Sequence, residues 1–512
     1  PMLRRSLPLL MVLLLGGAAA RAAEARLVPT PRASVLPASS TNRPFLGADR
    51  ALAPVDLAAR GYIETELLVS GFATVYDWAT GGADGVVARA SNVPYGTRIL
   101  VRRPKDAAKS SGRVVVELLD ASGQYDAAPL WGLSWEHFLR SGDAWVGVTV
   151  QPVAVAALRR FDGVRYSRLS FAYRRAGTGT GTGGCAAAPA GATSTEGALA
   201  DAESGLAWDV IAQVGALLKS SSKENPLLQL NPQRVVAAGY AQAGGYITTY
   251  AHALHATLRL GDGSPIFDGY LDAAGASAAP INQCAPLPPE DDARRMPPKV
   301  GVPFVVVMTE SDLQRAPTRR QDDADEPGVF RLHELAGAAH SGPFAAGQPA
   351  TADLLIAGIA ALPEDLCREP RSDFPLGYAF NAIWQQYDDL LVRQQPMARE
   401  PRIETDAAGA VARDAVGNAR GGFRLPQIDV PLAAYRGSST PRSDDARAQG
   451  ACALAGAMQK LGAAQLKAQY KTRAEYLRRF SAAVDEAVRA RRVVAEDAVT
   501  IKAAAAKTAP AF

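Results

Sequence analysis

The chain of 512 residues is long enough for one large α/β domain with insertions, or for roughly two or three ordinary domains. Its 48% hydrophobic and 21% charged content is that of a globular protein, with no long acidic or basic block. A formal net charge of +4, scattered along the chain, argues against a nucleic-acid groove.

The chain opens with a segment that reads as a targeting signal. Arg4 and Arg5 form a basic start, "LPLLMVLLLGGAAA" an apolar run, and Ala20-Arg21-Ala22 a small-residue cleavage site, so residues 1–22 are expected to direct export to the periplasm or the medium. The apolar run is too short and wrongly flanked for a stable membrane span, and no later run reaches about 18 uncharged residues. Residues 23–45, rich in Pro, Ser and Ala, are expected to lie extended on the surface.

Residues 46–512 read as a single domain with insertions. "ETELLVSGFATVYDW" and "TRILVRRP" suggest an antiparallel start. "RVVVELLD", "AWVGVTVQ", "RVVAAGY", "FDGYLDA", "VPFVVVMTESD" and "FRLHELAG" are apolar runs, several of them Val-rich, as expected of parallel strands buried on both faces. In "PLWGLSWEHFLRSG" and "AESGLAWDVIAQVGALLKS" apolar residues recur at helical spacing. Alternation of this kind predicts the α/β class, with a mostly parallel central sheet flanked by helices. Residues 177–197, "GTGTGTGGCAAAPAGATSTEG", lack the Lys-Ser/Thr of a phosphate loop and any strand leading in, and are expected to form a flexible surface loop. The acidic stretches "PPEDDARR" and "QDDADEP" lack calcium-loop spacing.

The extension 345–512 contains an amphipathic helix over 374–396, with Phe380, Ile383, Trp384 and Tyr387 on one side, and an extended segment over 413–437. From about residue 460 it is Ala-, Lys- and Arg-rich and helical. Cys185, Cys284, Cys367 and Cys452 are widely spaced without a C-x-x-C pair, which favours structural disulfides in an oxidising compartment; three full connectivities exist.

The stretch "RVVAAGYAQAGGY" combines a buried strand, a turn of small residues and a helix start. A nucleophile elbow, G-x-S-x-G, needs small neighbours because the nucleophile's backbone is strained. Gly239-Tyr240-Ala241-Gln242-Ala243-Gly244 supplies that setting with Ala241 at the nucleophile position. Such a triad runs nucleophile, acid, His along the chain. Asp312 stands a few residues past the strand "VPFVVVM", with Glu310 as the alternative acid, and His340 follows "FRLHELAGAA". His137, His252, His255 and His333 fall on helices and a strand and are expected to be structural. With serine at 241, His340 would take the hydroxyl proton and the acid would orient the imidazole. The oxyanion would need backbone N–H donors: one from Gln242, the other from the loop beginning Asp120-Ala121. Trp131 and Trp135 stand beside that loop and are expected to pack helix on sheet.

With these residues in place the chain resembles the bacterial alpha/beta hydrolase domain proteins whose elbow reads G-x-S-Q-S-G. The resemblance runs from about residue 69 to 476. It rests on "VVVELLDASG", "GYAQAGGY", "MTESDL", "FRLHELAGAAHSG" and above all "RDAVGNARGGFRLPQIDVPLAAYRG". It implies an α/β-hydrolase fold and a serine carboxylesterase acting on a small-molecule or polymeric ester, with the nucleophile at 241, His340, and Asp312 or Glu310. It implies no cofactor and no metal. The chain departs from the pattern at Ala241 and at Ala243, where the family carries Ser. Ala241 is therefore read either as a serine-to-alanine replacement or as the mark of a natural pseudoenzyme that keeps a binding pocket.

Overall fold

The structure, a computed structural model, describes residues 25–79, 85–173, 201–275, 278–314, 319–323, 329–342, 344–360, 363 and 365–511. The leader, the whole Gly/Thr-rich loop 177–197 with Cys185, and part of "QDDADEP" lie outside the described residues.

The described chain begins with β1 (Arg26–Leu27) and β2 (Arg32–Val35), followed by two long strands, β3 (Tyr62–Trp78) and β4 (Val86–Pro104). Alternation follows: β5 (Arg113–Leu118), α1 (Pro129–Ser141), β6 (Ala144–Val148), α2 (Pro152–Phe161), α3 (Ala207–Lys219), β7 (Arg234–Tyr240) and α4 (Gln242–Ala253). After the short β8 (Leu258–Arg259) come β9 (Gly269–Ala273), β10 (Phe304–Thr309) and β11 (Phe330–Leu335). Nine strands form the main sheet in the order β11-β10-β9-β7-β5-β6-β4-β3-β2. The pairs from β11 through to β6 are parallel, and those joining β6, β4, β3 and β2 are antiparallel.

Every residue of β5, β6, β9, β10 and β11 is buried, which is why β6 and β10 read as near-continuous apolar runs, while β11 also buries Arg331, His333 and Glu334. The antiparallel strands run further than their sequence signal, because β3 and β4 pair from Tyr62↔Pro104 out to Trp78↔Val86, past the apolar core into partly exposed residues. On one face Arg102 lies between the indoles of Trp131 and Trp145, at 4.4 and 4.5 Å from their ring centroids, as expected for helix-on-sheet packing. Glu117, fully buried on β5, accepts from the Leu130 and Trp131 backbone N–H groups at 2.8 and 2.9 Å and from Trp145 Nε1 at 2.7 Å. It satisfies the open N–H groups of α1, whose own N-cap, Ala128, has no side-chain acceptor.

The C-terminal extension packs onto this frame. After α5 (Thr351–Ile356), α6 (Gly377–Arg393) buries Phe380, Ile383, Trp384 and Tyr387, the predicted face. Then α7 (Pro426–Asp429) leads into β12 (Ala433–Arg436), which α8 (Ala446–Ala455) connects to its antiparallel partner β13 (Ala457–Lys460). The end of the chain is helical, as α9 (Ala463–Tyr470), α10 (Arg473–Arg489) and α11 (Ala495–Thr508). Cys367 and Cys452 form a disulfide with Cα atoms 5.7 Å apart.

Candidate active site

In a parallel sheet, ligands bind beyond the carboxyl ends of the strands. The carboxyl ends of β5, β7, β10 and β11 carry Asp120, Ala241, Asp312 and His340 respectively, each within a few residues of the strand end.

Ala241 joins β7 to α4 with φ 53° and ψ −122°. An L-residue pays on the order of 1–3 kcal/mol to stand there, and it persists because its surroundings over-determine it. The Ala241 N–H donates to the Ala273 carbonyl at 2.9 Å, and the Gly244 N–H bonds back to the Ala241 carbonyl at 3.0 Å. The small neighbours are obligatory: a Cβ on Gly239 would lie 2.3 Å from the Ala243 carbonyl oxygen, and one on Gly244 2.3 Å from Asp272 Oδ1. Asp272 is itself buried, bonded by Thr248 Oγ1 at 2.7 Å, and burial pushes its carboxyl up to about 7.

His340 Nδ1 and Asp312 Oδ1 are 2.7 Å apart, with the Asp312 side chain buried and the His340 ring slightly open to solvent. Asp312 is fixed by Thr309, whose N–H and Oγ1 donate to Oδ2 at 3.0 and 2.6 Å. The His340 backbone is pinned at both polar groups, its N–H donating to Ser311 Oγ at 3.0 Å and its carbonyl accepting the Tyr240 hydroxyl at 2.7 Å. The Tyr240 ring, on the residue before the elbow, lies 5.5 Å from the imidazole.

Of the two candidate acids, the structure brings Asp312 to His340 and gives Glu310 other partners. Glu310 accepts from the Gly337 and Gly437 N–H groups at 2.9 and 3.1 Å and from Arg413 at 2.6 Å. It ties the His340 loop to the segment 413–437. That segment is held by buried Asn418, which accepts from the Tyr435 N–H at 2.7 Å and donates to the Ala433 carbonyl at 3.3 Å.

The oxyanion residues separate as well. Gln242 is the first residue of α4, where open N–H groups and the helix dipole meet. The Asp120 N–H is unavailable as a donor, being bonded to the Ala127 carbonyl at 2.9 Å in a reciprocal bridge. The Ala121 N–H has no such partner among the described residues. Sequence reasoning missed what Asp120 brings instead: its carboxyl, 7% exposed, lies toward the Gln242 N–H and His340, and burial raises it above the ordinary carboxylate range.

The remaining histidines are held as structural groups or kept from the site. His255 Nδ1 lies 2.8 Å from the Tyr270 hydroxyl, His137 Nε2 lies 3.3 Å from Arg113, and His333 is buried edge-on to Phe423. His252 stands on α4 against Trp78. Burial pushes both His255 and His333 down to about 4.

A mostly parallel sheet flanked by helices, with a strained strand-to-helix turn at its centre, is an α/β-hydrolase fold. The chain belongs to the alpha/beta hydrolase domain family, whose sequence profile matches residues 28–503. No curated protein sequence matches it. Similar solved structures include dienelactone hydrolase from Anabaena variabilis, 13% identical, covering 57% of this chain and 96% of that one with a TM-score of 0.25. Acetyl xylan esterase 1 from Thermoanaerobacterium sp. is 9% identical over 56% of this chain and 76% of its own, with a TM-score of 0.28. A thermostable esterase from Pseudomonas putida is 13% identical over 50% of this chain and 66% of its own, with a TM-score of 0.26.

Proposed function

We propose that this chain carries the site of an exported carboxylic-ester hydrolase in which alanine stands at the nucleophile position. The observation that carries the reading is the backbone of Ala241, held at φ 53° at the head of α4 although a methyl group gains nothing from that strained conformation. The His340–Asp312 pair beside the same strand ends supplies the base and its orienting acid. With a hydroxyl on residue 241, His340 Nε2 takes its proton as the oxygen attacks the ester carbonyl, and Asp312 steadies the imidazolium. The Gln242 and Ala121 N–H groups face the developing oxyanion. His340 then returns the proton to the leaving alcohol, and water releases the acid by the same route. As written, the chain lacks the attacking atom, and loss of a triad serine costs on the order of a million-fold in turnover.

The Cys367–Cys452 disulfide fits the export expected from residues 1–22. Ala241 itself favours a second reading, a pseudoenzyme that binds a small ester or acid without turnover. Hydrolysis of short and aromatic p-nitrophenyl esters by the chain, by Ala241→Ser and by Ala241→Ser/His340→Ala separates the two. Activity gained with the serine and lost again without the imidazole supports the esterase site. A folded Ala241→Ser protein that stays inert across those esters refutes it and leaves ligand binding as the property to pursue.

A further inference from the structure

The carboxyl of Asp120 occupies the part of the site where an ester hydrolase needs positive potential. The loop after β5 turns back through the Asp120↔Ala127 bridge, which fixes the residue beside the elbow strand, since Leu118 of β5 is in register with Gly239 of β7. One carboxylate oxygen, Oδ2, accepts the Ser122 hydroxyl at 2.5 Å. The other, Oδ1, is buried without a hydrogen-bond partner. The groups around it are the Gln242 N–H from the head of α4, His340 from the loop after β11, and the phenols of Tyr125 and Tyr240, with Asp312 behind the His340 ring. Among the described residues no Lys or Arg pairs with Asp120. An ionised carboxylate here competes for the Gln242 donor and sets a like charge against any oxyanion formed there.

Resting on the ester-hydrolase reading, we propose that Asp120 is a charge gate on the oxyanion site. While ionised it opposes acyl transfer from ordinary esters, and the site favours acyl chemistry only when this carboxyl is neutral. The gate also sets the ligand class: a molecule presenting an N–H or O–H donor to Oδ1 is accepted, and one presenting a carbonyl oxygen at that point is not. Asparagine at 120 keeps an acceptor for Ser122 and replaces the charge with a donor.

The test compares Ala241→Ser with Ala241→Ser/Asp120→Asn on p-nitrophenyl acetate between pH 5 and 8.5, with thermal unfolding as the folding control. The expected result is a rise in kcat/KM on the order of 100-fold at pH 8, the size of one oxyanion donor, narrowing as pH falls and the Asp120 carboxyl takes up its proton. Equal or lower activity of the double variant at every pH overturns the gate, while activity of Ala241→Ser alone leaves the esterase reading standing. If both proteins are inert, the esterase reading fails and the gate, which rests on it, is overturned with it.

Discussion

Two buried carboxyls make the stability of this fold depend on pH in a direction opposite to the usual one. Glu117 and Asp272 are both pushed up to about 7 by burial, from ordinary values of 4.5 and 3.8. A carboxyl whose folded pKa lies above its unfolded one binds its proton more tightly in the folded state. Its contribution is therefore present at low pH and is lost as pH rises through about 7. Between pH 8 and pH 6.5 each group adds about 0.8 kcal/mol of stability, about 1.6 kcal/mol for the two. The buried histidines act the other way, costing about 0.4 kcal/mol each between pH 8 and 6.5 and more below. His255 and His333, near 4 when folded, stay neutral while their unfolded counterparts charge, and each costs about 1.6 kcal/mol between pH 6.5 and 5. His137, lowered by burial beside Arg113, adds to that loss. The two sets offset each other, so the expected profile climbs by less than about 1 kcal/mol as pH falls from 8 to 6.5 and then flattens. Urea unfolding midpoints at half-unit pH steps measure it, and Glu117→Gln should remove about 0.8 kcal/mol, essentially the whole of the climb. A midpoint that is level or higher at pH 8 than at pH 6.5 refutes the assignment of two neutralisable core carboxyls.

Three further outcomes follow from contacts described above. Glu310→Ala should leave the Gly337 and Gly437 N–H groups and Arg413 without their acceptor, at about 3 kcal/mol or more; a melting temperature unchanged within error would show that the brace is dispensable. Asn418→Ala removes one acceptor and one donor in a fully buried site and should cost about 2–3 kcal/mol, read by denaturant unfolding. Loss of Cys367–Cys452, which spans 85 residues, should lower stability by about 2–4 kcal/mol, seen as a lower melting temperature of the Cys367→Ser/Cys452→Ser protein than of the unaltered chain without reductant.

What could be read from the sequence was what local pattern encodes. "RVVAAGY" became β7 over the same seven residues, because a strand buried on both faces needs apolar residues without interruption. The spacing of Gly239, Ala243 and Gly244 announced the tight turn at Ala241, since a larger side chain there collides with backbone or with Asp272. The chain order of Asp312 and His340 announced their meeting. What remained hidden depends on partners far apart in sequence. Whether Glu310 or Asp312 met the imidazole was decided by Gly437 and Arg413, more than a hundred residues on, which engage Glu310 and leave Asp312 to His340. The direction of the Asp120 carboxyl follows from a bridge to Ala127 that no periodicity marks. Glu117 read as an ordinary strand residue, and only the arrival of α1 and Trp145 makes it an anchor.

The positive φ of Ala241 has a bearing on descent. Every alanine codon is one base away from a serine codon, and the turn around residue 241 already holds the conformation a hydroxyl would need. A lineage carrying this chain could regain an attacking oxygen in one mutational step with no rebuilding of the backbone, and could lose it as easily. Turnover in such a lineage would behave as a trait that switches over short evolutionary times while the fold stays fixed.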